Sequence, residues 1–250
     1  MEYYHHLYRD SPMWDGSSLD GKTIIVYMEQ GLGDCIQMYR YVSLLGTSVI
    51  IHTSSELKEL FEYFGHKVIT KDIQSLPDHD CHVLSLSLPF IFEDEIIFPY
   101  IGVKECNLEI DGAYSDYIKI GIAWEGRSHK CPLWRFNCLQ KANTKIFMLQ
   151  NEIKDKRLLE CSQIDLLGVE LRNMLDTAIL INTMDFVVTV DTCILHLAGA
   201  MNKKTYGILD KSSDPRWYTG NLYPSVKLLE VDQERQPTAL RTVAIYEKLI

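Results

Sequence analysis

The sequence predicts an α/β protein in which strand, loop and helix recur along both halves of the chain. Short β-branched runs of strand length alternate with longer stretches of helical spacing; residues 23–28, followed by a helical stretch through Tyr41 and Leu45, are the first example. A second start is Val187-Val188-Thr189-Val190, which stops at Asp191-Thr192 and continues with Ile194, Leu195, Leu197 and Ala198 on a helical period. Such alternation calls for parallel strands joined by crossover helices. The 250 residues, 46% apolar and 10% aromatic, suffice for one large domain or two small ones with real cores.

Residues 1–20 read as an aromatic and polar entry arm without a clean period. Its adjacent His5 and His6 lack a third ligand at useful spacing and are expected at the surface rather than on a metal. The strand at 23–28 is followed by Glu29-Gln30-Gly31-Leu32-Gly33-Asp34. Gly31 and Gly33 let the backbone turn tightly and approach a ligand, and Asp34 stands where the helix begins. From spacing alone Asp34 is either a cap contributing about 1 kcal/mol or a catalytic carboxylate. Strands are expected at 49–51, 67–70 and 81–86, and a helix with a serine-rich start at 54–64. Residues 92–111, without a clear period, read as an irregular connection.

The rhythm restarts with a strand at 117–124. Arg127, Lys130 and Arg135 then form a basic cluster that suits either a solvated loop or a polyphosphate clamp. A short helix follows Trp134-Arg135-Phe136, then a strand at 145–149 and an apolar-patterned helix at 171–182, where Asp176 is placed to cap or to contact a ligand. Strands at 187–190, 205–209 and 226–231 and a terminal helix at 238–250 complete the pattern. Between them, Asp214-Pro215-Arg216-Trp217-Tyr218 has the composition of a ligand rim or of plain surface packing. In an open α/β sheet the end of strand 187–190 lies at the ligand crevice, and the N–H groups of the following helix favour an anion. A phosphate site is expected at Asp191-Thr192.

Net charge of -9 and a pI near 5.4 disfavour a broad grip on nucleic acid or an anionic membrane. Seven scattered cysteines, never spaced as C-x-x-C, fit a reducing compartment better than a disulfide framework or a zinc site. Neither a leader pattern nor an apolar run approaching ~20 residues is present, so a cytoplasmic protein without a membrane span is expected.

Several stretches taken together resemble the family 9 glycosyltransferases, the group of the ADP-heptose:lipopolysaccharide heptosyltransferases. They resemble still more the related domain that follows tetratricopeptide repeats in bacterial proteins. The stretches are Trp14-Asp15-Gly16, Leu19-Asp20-Gly21-Lys22, Glu29-Gln30-Gly31-Leu32-Gly33-Asp34-Cys35-Ile36-Gln37, Leu86-Ser87-Leu88-Pro89, Gly121-Ile122-Ala123-Trp124-Glu125-Gly126, Leu175-Asp176-Thr177-Ala178, Val190-Asp191-Thr192 and His196-Leu197-Ala198-Gly199-Ala200.

The resemblance implies a GT-B fold, two Rossmann-like domains facing across a cleft. It divides the chain into an arm at 1–20, an acceptor-side domain at 21–113, a nucleotide-sugar domain at 114–235 and a terminal helix at 236–250 that can pack back on the first domain. It implies an inverting transfer from a nucleotide-sugar, without cofactor or metal, with Asp34 as general base. The donor would be held by Gly31, Gly33, Trp124, Arg127, Lys130, Gln150, Asp191, Thr192, Cys193 and His196, with Gln150 near the nucleoside and the N–H groups of 192–194 on the diphosphate. The acceptor stays open among a glycan, a protein and a small molecule, with nucleic acid disfavoured by the acidic charge. The short first half and the basic loop after Trp124 depart from the family pattern. Two other readings remain: a non-catalytic nucleotide-sugar binding module, and a dinucleotide-dependent oxidoreductase, disfavoured because no G-x-G-x-x-G is present.

Overall fold

Two all-parallel sheets organise the chain. The computed structural model describes residues 11–45, 48–70, 72–73, 75–92, 96–104, 109–126, 130–160, 162, 164–209, 213–218 and 222–230. By internal contact the chain divides into a unit of Met1–Tyr100 with Asn173–Leu175 and a unit of Ile101–Arg172 with Asp176–Ile250. The expected terminal helix, His5, His6 and Arg127 lie outside the described residues.

The first unit contains β1 (Ile24–Tyr27), α1 (Leu32–Val42), β2 (Val49–Thr53), α2 (Ser55–Tyr63), β3 (Lys67–Thr70) and β4 (Cys81–Leu84). The order across the sheet is β3-β2-β1-β4. All four residues of β1 and all five of β2 are buried, the continuous burial of a parallel sheet covered on both faces. Ile25, Tyr27, Ile50 and Ile69 form one core cluster. Helix α1 turns Cys35, Ile36, Met38, Tyr39 and Val42 inward, and α2 turns Leu57, Leu60 and Phe61, the 3–4 residue spacing of one helical face. Residues 12–14 of the arm lie against the first sheet. The Trp14 N–H donates to the His82 carbonyl at 2.8 Å, and the His82 N–H donates to the Pro12 carbonyl at 3.0 Å. Residues 12–14 thereby cover part of the outer edge of β4.

The second unit carries α3 (Glu109–Ala113), β5 (Ile118–Ala123), β6 (Thr144–Met148), β7 (Leu166–Leu167), α4 (Met174–Thr183) from Asp176 onward, β8 (Phe186–Val190), α5 (Cys193–Ala200), β9 (Thr205–Leu209) and β10 (Val226–Glu230). Its sheet runs β10-β9-β8-β5-β6-β7. Ile120, Ile122, Trp124, Phe136, Ile146, Val188 and Tyr206 belong to its main core cluster. Most expected elements are present. The strand expected at 81–86 ends at Leu84, where a 3-10 helix (Ser85–Phe90) begins. The short helix α3, which begins inside the stretch expected to be irregular, the two-residue β7 and the 3-10 turns Lys156–Leu159 and Pro215–Tyr218 add to the sequence expectation.

In each sheet the first strand is flanked on one side by the second and on the other by the fourth, counting within the sheet. The chain therefore winds outward from β1 to β3 and returns at β4, and winds from β5 to β7 and returns at β8. Such reversal points open a crevice at the carboxyl ends of the two strands. Between β1 and β4 it lies at Glu29 and Ser85; between β5 and β8 it lies at Trp124 and Asp191.

Candidate active site

The first crevice is built by the loop from β1 to α1. Gly31 is the N-cap of α1, and its N–H donates to Asp34 Oδ2 at 3.0 Å. Asp34 is the third residue of the helix, and its carboxylate reaches back to the cap, where the helix dipole also favours negative charge. Asp34 caps the helix at the edge of the first crevice. A Cβ added at Gly31 would stand 3.4 Å from the Asp34 carboxylate, an ordinary contact distance. Gly33 lies within the first turn of α1.

The second crevice has β5 and β8 in register from Ile120 opposite Phe186 to Ala123 opposite Thr189. Trp124-Glu125 and Asp191-Thr192 therefore leave the sheet side by side. Thr192 caps α5, and its hydroxyl accepts from the Ile194 N–H at 3.0 Å. This corrects one expectation: the Ile194 N–H is taken by the cap and is not offered to an anion. Asp191 faces the loop after β9, its carboxylate 3.5 Å from the Asp214 N–H. Cys193 opens α5 and is half-buried.

His196 lies on α5 but is 6% exposed. Its Nδ1 meets the Tyr223 hydroxyl at 2.9 Å, and its ring lies 4.7 Å from that of Trp217. The loop at 214–218 is thus drawn onto α5 by aromatic packing, with Trp217 inside and Tyr218 outside. Asp214 pairs with Arg216 at 2.8 Å.

Gln150 and Lys130 are tied into a reciprocal clasp between the chain beyond β5 and the chain beyond β6. The Gln150 side-chain carbonyl accepts from the N–H groups of Trp124 at 3.0 Å and Glu125 at 3.3 Å. In return Glu125 Oε2 accepts from the N–H groups of Lys154 and Asp155, each at 3.1 Å. The Lys130 ammonium lies 3.0 Å from Glu125 and 3.6 Å from Asp155. Burial alone would raise the Glu125 carboxyl, but Lys130 and the N–H groups of Asp155 and Lys154 outweigh it and hold it below the ordinary 4.5. Trp124 is fully buried, with its indole in the core of the unit. Gln150 and Trp124 thus have structural work at the positions expected to touch donor.

Sequence reasoning missed Glu29, Ser85, Glu125 and Tyr223. Glu125 did leave a signal, since it stands directly beyond a buried strand. Tyr223 left only an indirect one: a Cβ on Gly199 would come within 2.4 Å of its ring, so a glycine inside a helix marked a close neighbour. Among the described residues no cluster of three or more His, Cys, Asp or Glu side chains is placed to hold a metal ion. No helix of the described residues is long and apolar enough to cross a membrane.

Paired parallel α/β units, each with a strand–loop–helix turn at its reversal point, define a protein of GT-B type, and the solved structures agree. The chain is similar to ADP-heptose LPS heptosyltransferase II of E. coli, with TM-score 0.62 and 13% identity over 91% of this chain and 98% of that one. It is similar to a family 9 glycosyl transferase of Veillonella parvula DSM 2008, with TM-score 0.65 and 13% identity over 93% of each. It is similar also to E. coli heptosyltransferase WaaC with ADP, with TM-score 0.59 and 12% identity over 90% of this chain and 99% of that one. No curated protein matches the sequence. Residues 139–248 match the model of glycosyltransferase family 9 (heptosyltransferase), the family that the sequence motifs resemble.

Proposed function

We propose that this protein is an inverting glycosyltransferase that moves a sugar from a nucleotide-sugar donor to an acceptor hydroxyl. The observation that carries the reading is the pairing of the family 9 match at 139–248 with a capped strand–helix turn, Asp191-Thr192, at the reversal point of the second sheet. A hydroxyl is a weak nucleophile, and a carboxylate that takes its proton during attack supplies about 10²–10⁴-fold. Asp34 is the proposed base. As the glycosidic bond breaks, the leaving nucleotide diphosphate gains charge, and the start of α5 with Lys130 supplies prearranged dipoles and a cation to meet it.

Arg127 joins that group in the proposal, while Gln150 acts by holding the Trp124-Glu125 backbone. His196 supports the site through Tyr223 and Trp217. Bound ADP in the similar WaaC structure makes an ADP-sugar the first donor to try. No metal takes part in the proposed chemistry.

A thermal-shift panel of ADP, GDP, UDP, CDP and TDP, with their sugar conjugates and NAD, tests the donor class. Stabilisation by one nucleoside diphosphate is expected, reaching about 2.7 kcal/mol at a hundred times its dissociation constant. A shift with NAD alone would overturn the reading. The engagement of Asp34 with the Gly31 cap supports a second reading, a binding module that keeps the donor site without transfer. A nucleotide shift without turnover would select it.

A further inference from the structure

We propose that Glu29 is a positioning residue: it staples the β1 and β4 sides of the first crevice together and thereby holds the Gly31 loop, and with it Asp34, in working geometry. The inference rests on Asp34 being the base, but its structural part stands on the loop alone. Two motifs far apart in sequence meet at this residue. The Glu29 N–H donates to Ser85 Oγ at 3.1 Å, and Glu29 Oε2 accepts from the Leu86 N–H at 3.1 Å. Ser85 is fully buried, so its hydroxyl is a fixed acceptor. From behind, the Cys35 thiol donates to the Glu29 carbonyl at 3.4 Å.

The next residue shows what the staple restrains. Gln30 has φ +63°, left-handed backbone for a residue that is not glycine. Such a conformation costs energy and persists where its neighbours over-determine it. Here Glu29 fixes it on one side, and the Gly31 N–H bonded to Asp34 fixes it on the other. Without the Glu29 carboxylate, Gln30 is free to return to ordinary backbone angles. That rotation carries the Gly31 N–H away from Asp34 and unties the carboxylate. The Leu86 N–H explains the early end of β4 as well, since it is spent on Glu29 rather than on continuing the sheet.

The test combines Glu29→Ala, Glu29→Gln, Gln30→Gly and the double variant Glu29→Ala with Gln30→Gly. Amide hydrogen exchange at Gly31 is read first, because it needs no turnover. Exchange is expected to quicken at least tenfold in Glu29→Ala and to stay near the parent rate in Glu29→Gln, whose side-chain oxygen still accepts from Leu86. The double variant is expected to recover, since glycine accepts φ +63° without strain. Unchanged exchange in Glu29→Ala, or no recovery in the double variant, would overturn the proposal whether or not transfer is detected. In the turnover assay Glu29→Ala is expected to lower kcat roughly 10-fold to 100-fold with donor KM unchanged, and Glu29→Gln to keep the parent kcat. If Asp34→Asn removes transfer while Glu29→Ala leaves kcat intact, the positioning role fails and the base reading stands. If Asp34→Asn retains full transfer, the base reading fails, and the catalytic part of this inference with it.

Discussion

Gly199 and Tyr223 show how closely single residues are fitted around α5. A side chain at 199 would put its Cβ 2.4 Å from the Tyr223 ring, while the hydroxyl of that ring holds His196 at 2.9 Å. Gly199→Ala is therefore expected to cost about 1–3 kcal/mol by overpacking, measured as a lowered urea midpoint. A midpoint equal to the parent's would show that the ring moves aside freely. His196 was readable as part of a motif, but its burial was not. Nothing near His196 in the chain announces a tyrosine 27 positions later.

Among elements, the clasp between the ends of β5 and β6 is the clearest case of side chains doing the work of a sheet. Glu125 satisfies two backbone N–H groups and pairs with Lys130. Glu125→Ala is expected to cost about 2 kcal/mol through those unmet donors, and to leave Lys130 paired with Asp155 alone. Its carboxyl is held below the ordinary 4.5 in the folded state. The stabilisation is therefore complete above that value and is lost as pH falls through the lower folded one. Urea midpoints of parent and Glu125→Ala should converge in acid; a constant gap down to pH 3 would contradict this.

Long elements such as β2, α1 and β8 were readable because continuous apolar runs and helical spacing leave strong periodic signals. The two-residue β7 has no period to detect. The end of β4 depended on Glu29, which lies 57 positions from Leu86.

At the scale of the whole molecule, the first unit is expected to lose stability in mild acid. In the first, burial lowers His66, and burial followed by the neighbouring His79 lowers His82, although a bond with Ser11 opposes it. A histidine kept neutral by folding is protonated first in the unfolded chain, so stability falls as pH drops below 6.5 through the folded values. Protection from hydrogen exchange, taken relative to the intrinsic rate at each pH, should therefore fall in β1 and β4 between pH 7 and pH 5.5; unchanged protection would contradict the assignment. The repeated strand–loop–helix rhythm told that parallel sheets would form. Strand order, and so the two reversal points, came only from pairings between distant segments.

Transfer is expected to persist in EDTA, and loss of turnover restored by a divalent cation would bring a metal into the mechanism. The central claim is transfer from a nucleotide-sugar with Asp34 as base, and the most direct measurement is release of nucleoside diphosphate from the stabilising nucleotide-sugar by parent and Asp34→Asn protein. The account predicts turnover in the parent and at least a hundredfold loss in the variant, with the nucleotide's thermal shift unchanged. Equal turnover in the two proteins would contradict it.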